Sequence, residues 1–301
     1  MIRGLSIIAA LVLATAASGS AAPAGGAVPA FEALFIRADG TSKRAFIVTA
    51  TKASLRYRES KDSAEVKDLK VSDLARVHLF EPPGYAAAID LFQDRRYQEA
   101  KLAFSALKHS LAPISTLPDN PGTLAAFYEL ECFRKLGDLE GLSGALKNFN
   151  KDPLVRENHL RQIEMYVFWD AVRTKNWSRL EALAKDRAKQ RLPGYQRAQV
   201  SYCHALALDA LGRRSDALEA YNTAIIADVG ASEELARHAA LAILKIHAAD
   251  PAVKEALKQP AGEATTPGHA ALAEARAVAR LFELSLGSGD PLPQEYKVFL
   301  E

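Results

Sequence analysis

Apolar residues along this chain follow two patterns. Between Phe31 and Phe80 they fall in short runs bounded by turn residues, alternating at Ala53 to Glu59, the grammar of strands. From Glu81-Pro82-Pro83-Gly84 onward they recur every third or fourth, the period of helices. In the first region Phe31 to Arg37 reads as a strand, and Asp39-Gly40 is a hairpin signal. Lys43 to Ala50 is a second strand. Ala53 to Glu59 is a third, with Leu55 and Tyr57 on one face and Arg56 and Arg58 on the other. Ala64 to Lys70 and Ala75 to Phe80 complete five. Between these last two, Val71 to Leu74 reads as one helical turn capped by Ser72 or Asp73.

The helical region is most legible at Ala205 to Asp228. Ala205, Leu208 and Leu211 share one helical face before Gly212, and Ala217, Tyr221 and Ala224 share one after it. Gly212 suits the left-handed residue that ends a helix, and Ser215 or Asp216 is expected to cap the next. Small Ala205 and Ala217 allow close helix approach, with Tyr221 filling the space beside them. Used as a ruler, this hairpin aligns Ala217 with Leu180, Leu142 and Ala100, at spacings of 37, 38 and 42 residues. A weaker fifth pair runs from Ser232 to His247 and from Pro251 to Lys258, with Asp250 as cap. Residues 259–268 read as a loop. His269 to Leu286 is amphipathic, with Leu272, Ala275, Val278, Ala279, Phe282 and Leu286 on one face.

The pattern of small residue, large residue, Gly turn, Ala and aromatic resembles a tetratricopeptide (TPR) unit. The resemblance covers residues 85–258, with units somewhat longer than the ideal of about 34 residues. It implies a mostly α member of the α+β class: a right-handed α-solenoid of antiparallel helix pairs behind a small all-β module, residues 31–80. The strand order is similar to the small Sm-like or SH3-like barrels found beside TPR arrays in envelope proteins. A three-stranded sheet packed on the first repeat is the simpler alternative. Residues 269–301 would form a terminal capping helix and tail.

Composition narrows the class further. The chain has 301 residues, 49% of them hydrophobic and 25% charged, as expected for a soluble globular protein. A net formal charge of +2 argues against nucleic acid as the main partner, since duplex binding needs a concentrated basic face. Arg3, the apolar run Leu5 to Ala17 and the small residues Ser18 to Ala22 match a signal peptide at residues 1–22, followed by an Ala/Gly/Pro linker at 23–30. The expected location is therefore periplasmic or secreted, with no stable membrane insertion after cleavage. Cys132 and Cys203 lie in apolar helical patterns of non-adjacent units and read as two buried free thiols.

No local pattern carries catalysis. Seven histidines are scattered, none in a zinc-protease helix spacing, and two isolated cysteines assemble no zinc site. Glu157, Asn158, His159 and Glu164 lie close in sequence but read as a helix cap and a surface pair. No Gly-x-Ser-x-Gly elbow or Gly-rich phosphate loop is present. Neither catalytic, cofactor nor metal residues are assigned. In the TPR family the first helix of each unit lines a concave groove. Carried onto this sequence, that resemblance places Phe127, Glu131 and Arg134 from unit two in the groove. Unit three gives Gln162, Met165, Trp169 and Arg173; unit four gives Gln199, Tyr202, Leu206 and Asp209. The expectation is a non-enzymatic interaction scaffold that holds a peptide or protein partner on this face. The competing readings are an enzyme or accessory factor acting on envelope polymers, and a β module that binds while the helices act as a spacer. If the terminal helix filled the groove, no open groove would remain.

Overall fold

The protein is described here as a computed structural model covering residues 30–228, 230, 232–259, 266–287 and 290–301. The expected signal peptide, nearly all of the linker, and residues 260–265 of the expected loop lie outside the described residues. The chain is mostly helical, with one small antiparallel sheet on its N-terminal side.

Five strands form that sheet: β1 (Phe31–Ile36), β2 (Ser42–Ala50), β3 (Ser54–Arg58), β4 (Lys67–Lys70) and β5 (Arg76–Leu79). Their order is β4-β3-β2-β1-β5, antiparallel throughout. The first hairpin turns at Gly40, whose φ of 82° a residue with a side chain rarely adopts. Asp39 Oδ1 accepts from the Thr41 amide at 2.9 Å to fix it. Alternation then decides the buried face: Ala33, Phe35, Ala45, Ile47 and Leu55 point inward. The expected barrel does not close. β4 and β5 are the two edges, each four residues long, and no ladder joins them among the described residues. Edges this short end the sheet before it can curl onto itself. The single turn between them, Val71–Asp73, has Lys70 at its N-cap without side-chain capping, so neither Ser72 nor Asp73 caps it.

The sheet packs, through β2, on the short segment at residues 111–117 that joins two of the first helices. Its core continues into Leu111, Ile114 and Leu117. Thr116 Oγ1 donates to the Ala50 carbonyl at 3.1 Å across the same contact.

The helices are α1 (Tyr85–Gln93), α2 (Tyr97–Ser110), α3 (Pro121–Lys135), α4 (Leu139–Lys147), α5 (Glu157–Arg173), α6 (Trp177–Arg187), α7 (Gly194–Ala210), α8 (Arg214–Ala227), α9 (Glu233–Ala249), α10 (Pro251–Ala256) and α11 (Pro267–Leu281). A π-helical turn, Phe282–Leu286, extends α11. Each helix packs mainly on its sequence neighbours, with further contacts of α1 with α3, α5 with α7, α7 with α9 and α9 with α11. Four hairpins turn alike. Arg95, Gly137, Lys175 and Gly212 all have positive φ, between 52° and 80°. In each case the following amide bonds back into the last turn of the helix: Arg96 to Leu91, Asp138 to Phe133, Asn176 to Ala171 and Arg213 to Leu208. Ala100, Leu142, Leu180 and Ala217, five residues beyond each, are all buried.

Caps hold several helix starts. Asp138 accepts from Gly141, Asn176 from Arg179 and Asp250 from Ala252. The α8 start departs from expectation. Arg213 occupies the N-cap without side-chain capping, and Ser215 and Asp216 fall inside the helix. Asp216 instead accepts from the Arg213 Nε at 2.9 Å. Helix α11 packs on α9 and α10, its Leu272, Ala275, Val278 and Ala279 joining the α9 core. Cys132 and Cys203 are buried and unpaired. Among the described residues no helix is long and apolar enough to cross a membrane.

Candidate functional site

Helices α3, α5 and α7 lie side by side and bring one polar residue after another onto a shared line. Glu131 and Arg134 are three apart on α3. Gln162, Tyr166 and Trp169 follow helical spacing on α5, and Gln199 faces them from α7. Arg134 donates from Nε to both Glu131 oxygens, at 3.1 and 3.2 Å, and from Nη2 at 2.9 Å. Glu131 Oε1 also accepts from Gln162 Nε2 at 3.0 Å and from the Tyr166 hydroxyl at 2.7 Å. Gln162 and Gln199 exchange amide hydrogen bonds at 2.9 and 3.1 Å, and Trp169 Nε1 donates to Gln199 Oε1 at 3.0 Å. From α9, Glu234 pairs with Arg134 at 3.1 Å and with Lys135 at 3.0 Å. The neighbouring Glu233 pairs with Arg95, at the α1–α2 turn.

The electrostatics follow from burial working against pairing. Burial is the largest influence on Glu131 and pushes its carboxyl up. Arg134, Lys135 and the Tyr166 hydroxyl together outweigh it and hold the group below its ordinary range. Glu234 behaves alike: burial raises it, and Arg134 and Lys135 more than compensate. Lys135 is lowered by burial first and by Arg134 second. Both thiols are pushed up chiefly by burial, Cys132 to about 12, which leaves them poor nucleophiles.

The eleven residues expected to line an open groove divide into three groups. Glu131, Arg134, Gln162, Trp169 and Gln199 are buried and form the network just described. Phe127 is buried beside it, its ring stacked on His159 at 4.4 Å, and Met165 is wholly enclosed in the core. Burial of Met165 follows from its neighbours, since Leu130, Tyr166, Leu180 and Cys203 belong to the same cluster. Tyr202, Leu206, Arg173 and Asp209 are half-buried. The Tyr202 ring sits between Trp169, Tyr221 and His238, with centroids about 6 Å away. Arg173 lies apart, donating to Asp170 at 2.8 Å and to Glu140 at 3.3 Å. The expectation missed Tyr128, Lys135, His159, Tyr166 and Glu234. Tyr166 was readable, four residues after Gln162 on the same face. Glu234 carried no local signal, because its partner lies a hundred residues earlier.

Two hollows adjoin Tyr128 and His159. A small one, about 210 Å³, opens at the network among Phe92, Phe127, Tyr128, Lys135 and Tyr195. The larger, about 910 Å³, is a cleft between β5 on one wall and α1, α3 and the start of α5 on the other. Its wall includes Phe80, Tyr85, Tyr128, Val155, Arg156 and His159. Tyr128 and His159 line both hollows. Phe80 and Val155, 42% and 55% exposed, are two of the large apolar side chains left uncovered at the surface, and both belong to this cleft. His159 is buried with its Nδ1 unpartnered. Burial, and then the charge of Arg156, lowers its pKa, so it is neutral near pH 7. Tyr85 is raised by burial.

Among the described residues no group of three His, Cys, Asp or Glu side chains is placed to hold a metal. Glu157 pairs with Arg161, and His159 is committed to its aromatic stack. The Glu157 to Glu164 stretch therefore brings no ligands together. Comparison of the chain with protein-family models, with curated proteins and with solved structures gives no match.

Proposed function

We propose that this chain is an exported, non-enzymatic interaction scaffold, a TPR-like right-handed α-solenoid behind a small open β-sheet, which binds a peptide or protein partner. The four equivalent turns at positions 95, 137, 175 and 212 support the repeat reading. The observation that carries the binding reading is the 910 Å³ cleft, where Phe80 and Val155 leave apolar surface uncovered beside β5. The original expectation put the partner across the inner helix face. Seven of its eleven residues are buried and the polar ones among them are paired with one another, so the cleft offers the more accessible surface. In this reading the small hollow beyond Tyr128 and His159 is an extension of the same site.

The test is affinity capture from envelope extract with two double variants. Phe80→Asp/Val155→Asp places charge in the cleft; Trp169→Ala/Tyr202→Ala truncates the inner face. Loss of a specific partner with the first pair and retention with the second is expected. Loss only with the second returns the site to the inner face. Unchanged recovery with both sinks the scaffold reading. N-terminal sequencing of the mature chain tests export, and an intact Met1 would overturn it.

A further inference from the structure

β5 is an edge strand whose free side opens into the cleft rather than onto bulk solvent. Which backbone groups face that side follows from hydrogen-bond parity. The Phe80 amide donates to the Glu32 carbonyl, and β5 pairs with β1 in the register Ala33 with Leu79 and Phe35 with Val77. In an antiparallel ladder the residues bonded to a given neighbour alternate. Even-numbered β1 residues therefore face β5, while odd-numbered ones face β2, as the bond from the Arg37 amide to the Thr41 carbonyl confirms. On β5 it follows that Arg76 and His78 bond to β1, while Val77 and Leu79 turn their N–H and C=O groups outward. Those outward groups have no protein partner among the described residues.

Natural edge strands are normally blunted by proline, by a bulge or by a covering element. β5 is blunted only by its length of four residues and by the charged Arg76 at its start; no proline interrupts it, although Pro82 and Pro83 follow just beyond. The cleft supplies a second wall instead: Tyr85 and Ile89 on α1, Leu124 and Tyr128 on α3, and Val155. Its charges balance, Arg76 and Arg156 against Glu81 and Asp119. An unpaired backbone edge beside an apolar wall of no net charge complements one kind of occupant. It fits an extended, near-neutral peptide whose own backbone completes the ladder and whose alternate side chains face the helices.

Resting on the scaffold reading above, we infer that the free edge of β5 takes an extended peptide segment of the partner as a sixth strand of the sheet. The contact is backbone to backbone at Val77 and Leu79, over an edge on the order of 13 Å, four residues at strand rise. Apolar side chains of the incoming strand pack against Phe80, Tyr85 and Val155.

The experiment is selection of a displayed library of random octapeptides on the full chain, in parallel with its Val77→Pro variant. Proline at position 77 removes an N–H that points away from β1, so the β1 ladder survives; circular dichroism and the urea midpoint check that it does. Selected peptides are then N-methylated one residue at a time and titrated against the unaltered chain, a measurement that does not depend on the variant folding. The expected result is enrichment on the natural chain only. Binding should weaken about tenfold or more when alternate amides are methylated, the size of an uncompensated lost hydrogen bond, and change little at the amides between. Peptides that bind both proteins equally and tolerate methylation everywhere overturn strand addition while leaving the scaffold reading in place. Absence of any enriched peptide overturns both. A self-association in analytical ultracentrifugation that vanishes in Val77→Pro assigns the edge to a second copy of the chain, and the inference fails.

Discussion

Replacing Glu131 by Gln tests whether the inner helix face is held by its charges or merely contains them. Glu131 is buried and accepts from three side chains, of which Arg134 has a side chain only 4% exposed. Gln keeps the shape but removes the charge that Arg134 faces. Breaking a buried ion pair from one side costs roughly 3–5 kcal/mol, because the remaining charge stays desolvated. Here Glu234 still reaches Arg134 at 3.1 Å, which places the expected cost near the lower end, about 3 kcal/mol. The double change Glu131→Gln/Arg134→Met removes both charges and should cost less than the single change, giving a favourable coupling in the double-mutant cycle. The sign with pH is fixed as well. Glu131 is held below its unfolded value of about 4.3, so its contribution is fully present above that pH. It is lost as pH falls through the folded value. Urea unfolding at pH 7 and in steps down to pH 3 measures both. A cost under about 1 kcal/mol at pH 7, the value of an exposed pair, would refute the reasoning. So would a Gln variant whose acid dependence matches that of the unaltered chain.

Two further outcomes follow from single features. Lys175 holds φ at 52° in the third hairpin turn with its side chain exposed, where Gly137 and Gly212 serve the second and fourth. Relief of a left-handed side chain by about 1–2 kcal/mol against a glycine entropy cost of about 0.5–1 predicts that Lys175→Gly is stabilising by up to about 1.5 kcal/mol; a lowered urea midpoint contradicts it. Asn120 caps α3 while wholly buried, accepting from the Thr123 amide at 2.7 Å and donating to the Leu117 carbonyl at 2.6 Å. Asn120→Ala should cost roughly 2 kcal/mol, a cap and a stranded carbonyl together, and a loss below about 0.5 kcal/mol in the same assay would show the cap to be dispensable.

Local rules carried most of the architecture. Short apolar runs bounded by turn residues placed all five strands to within a few residues, with alternation plainest in β3, where Leu55 is buried and Arg56 exposed. The 37- to 42-residue spacing found the hairpins because the same packed position after each turn demands a small or apolar residue. What depended on distant partners was not legible. Nothing near Arg134 indicates that Glu234 neutralises it, so the residues of the inner face read as binding anchors when they are partners of one another. Trp169, Gln199 and Glu131 have the composition of a recognition surface and the hydrogen-bond satisfaction of a core. The cleft was equally hidden, since Phe80, Tyr128 and Val155 meet only when the sheet docks on the helices. The expected caps at Ser215 and Asp216 failed for a smaller reason: Gly212 ends one helix and Arg213 already stands at the start of the next.

The ion pairs also bear on where a partner has room. Glu233 and Glu234 open α9, where the exposed amides of a helix start favour acidic side chains. From there they reach Arg95 at the first hairpin turn and Arg134 and Lys135 at the end of α3. Late in the sequence, α9 is thereby tied to the beginning of the helical region, across the line of Glu131, Gln162 and Gln199. A ligand laid along that line would have to displace these pairs and leave buried charges behind, at several kcal/mol for each one stranded. Binding at the cleft asks for no such exchange. Its apolar side chains are already uncovered, and the outward amides and carbonyls of Val77 and Leu79 gain partners they otherwise lack. The same tie that closes the inner face holds α3 in place, and with it Leu124 and Tyr128, the fixed wall against which an added strand would pack.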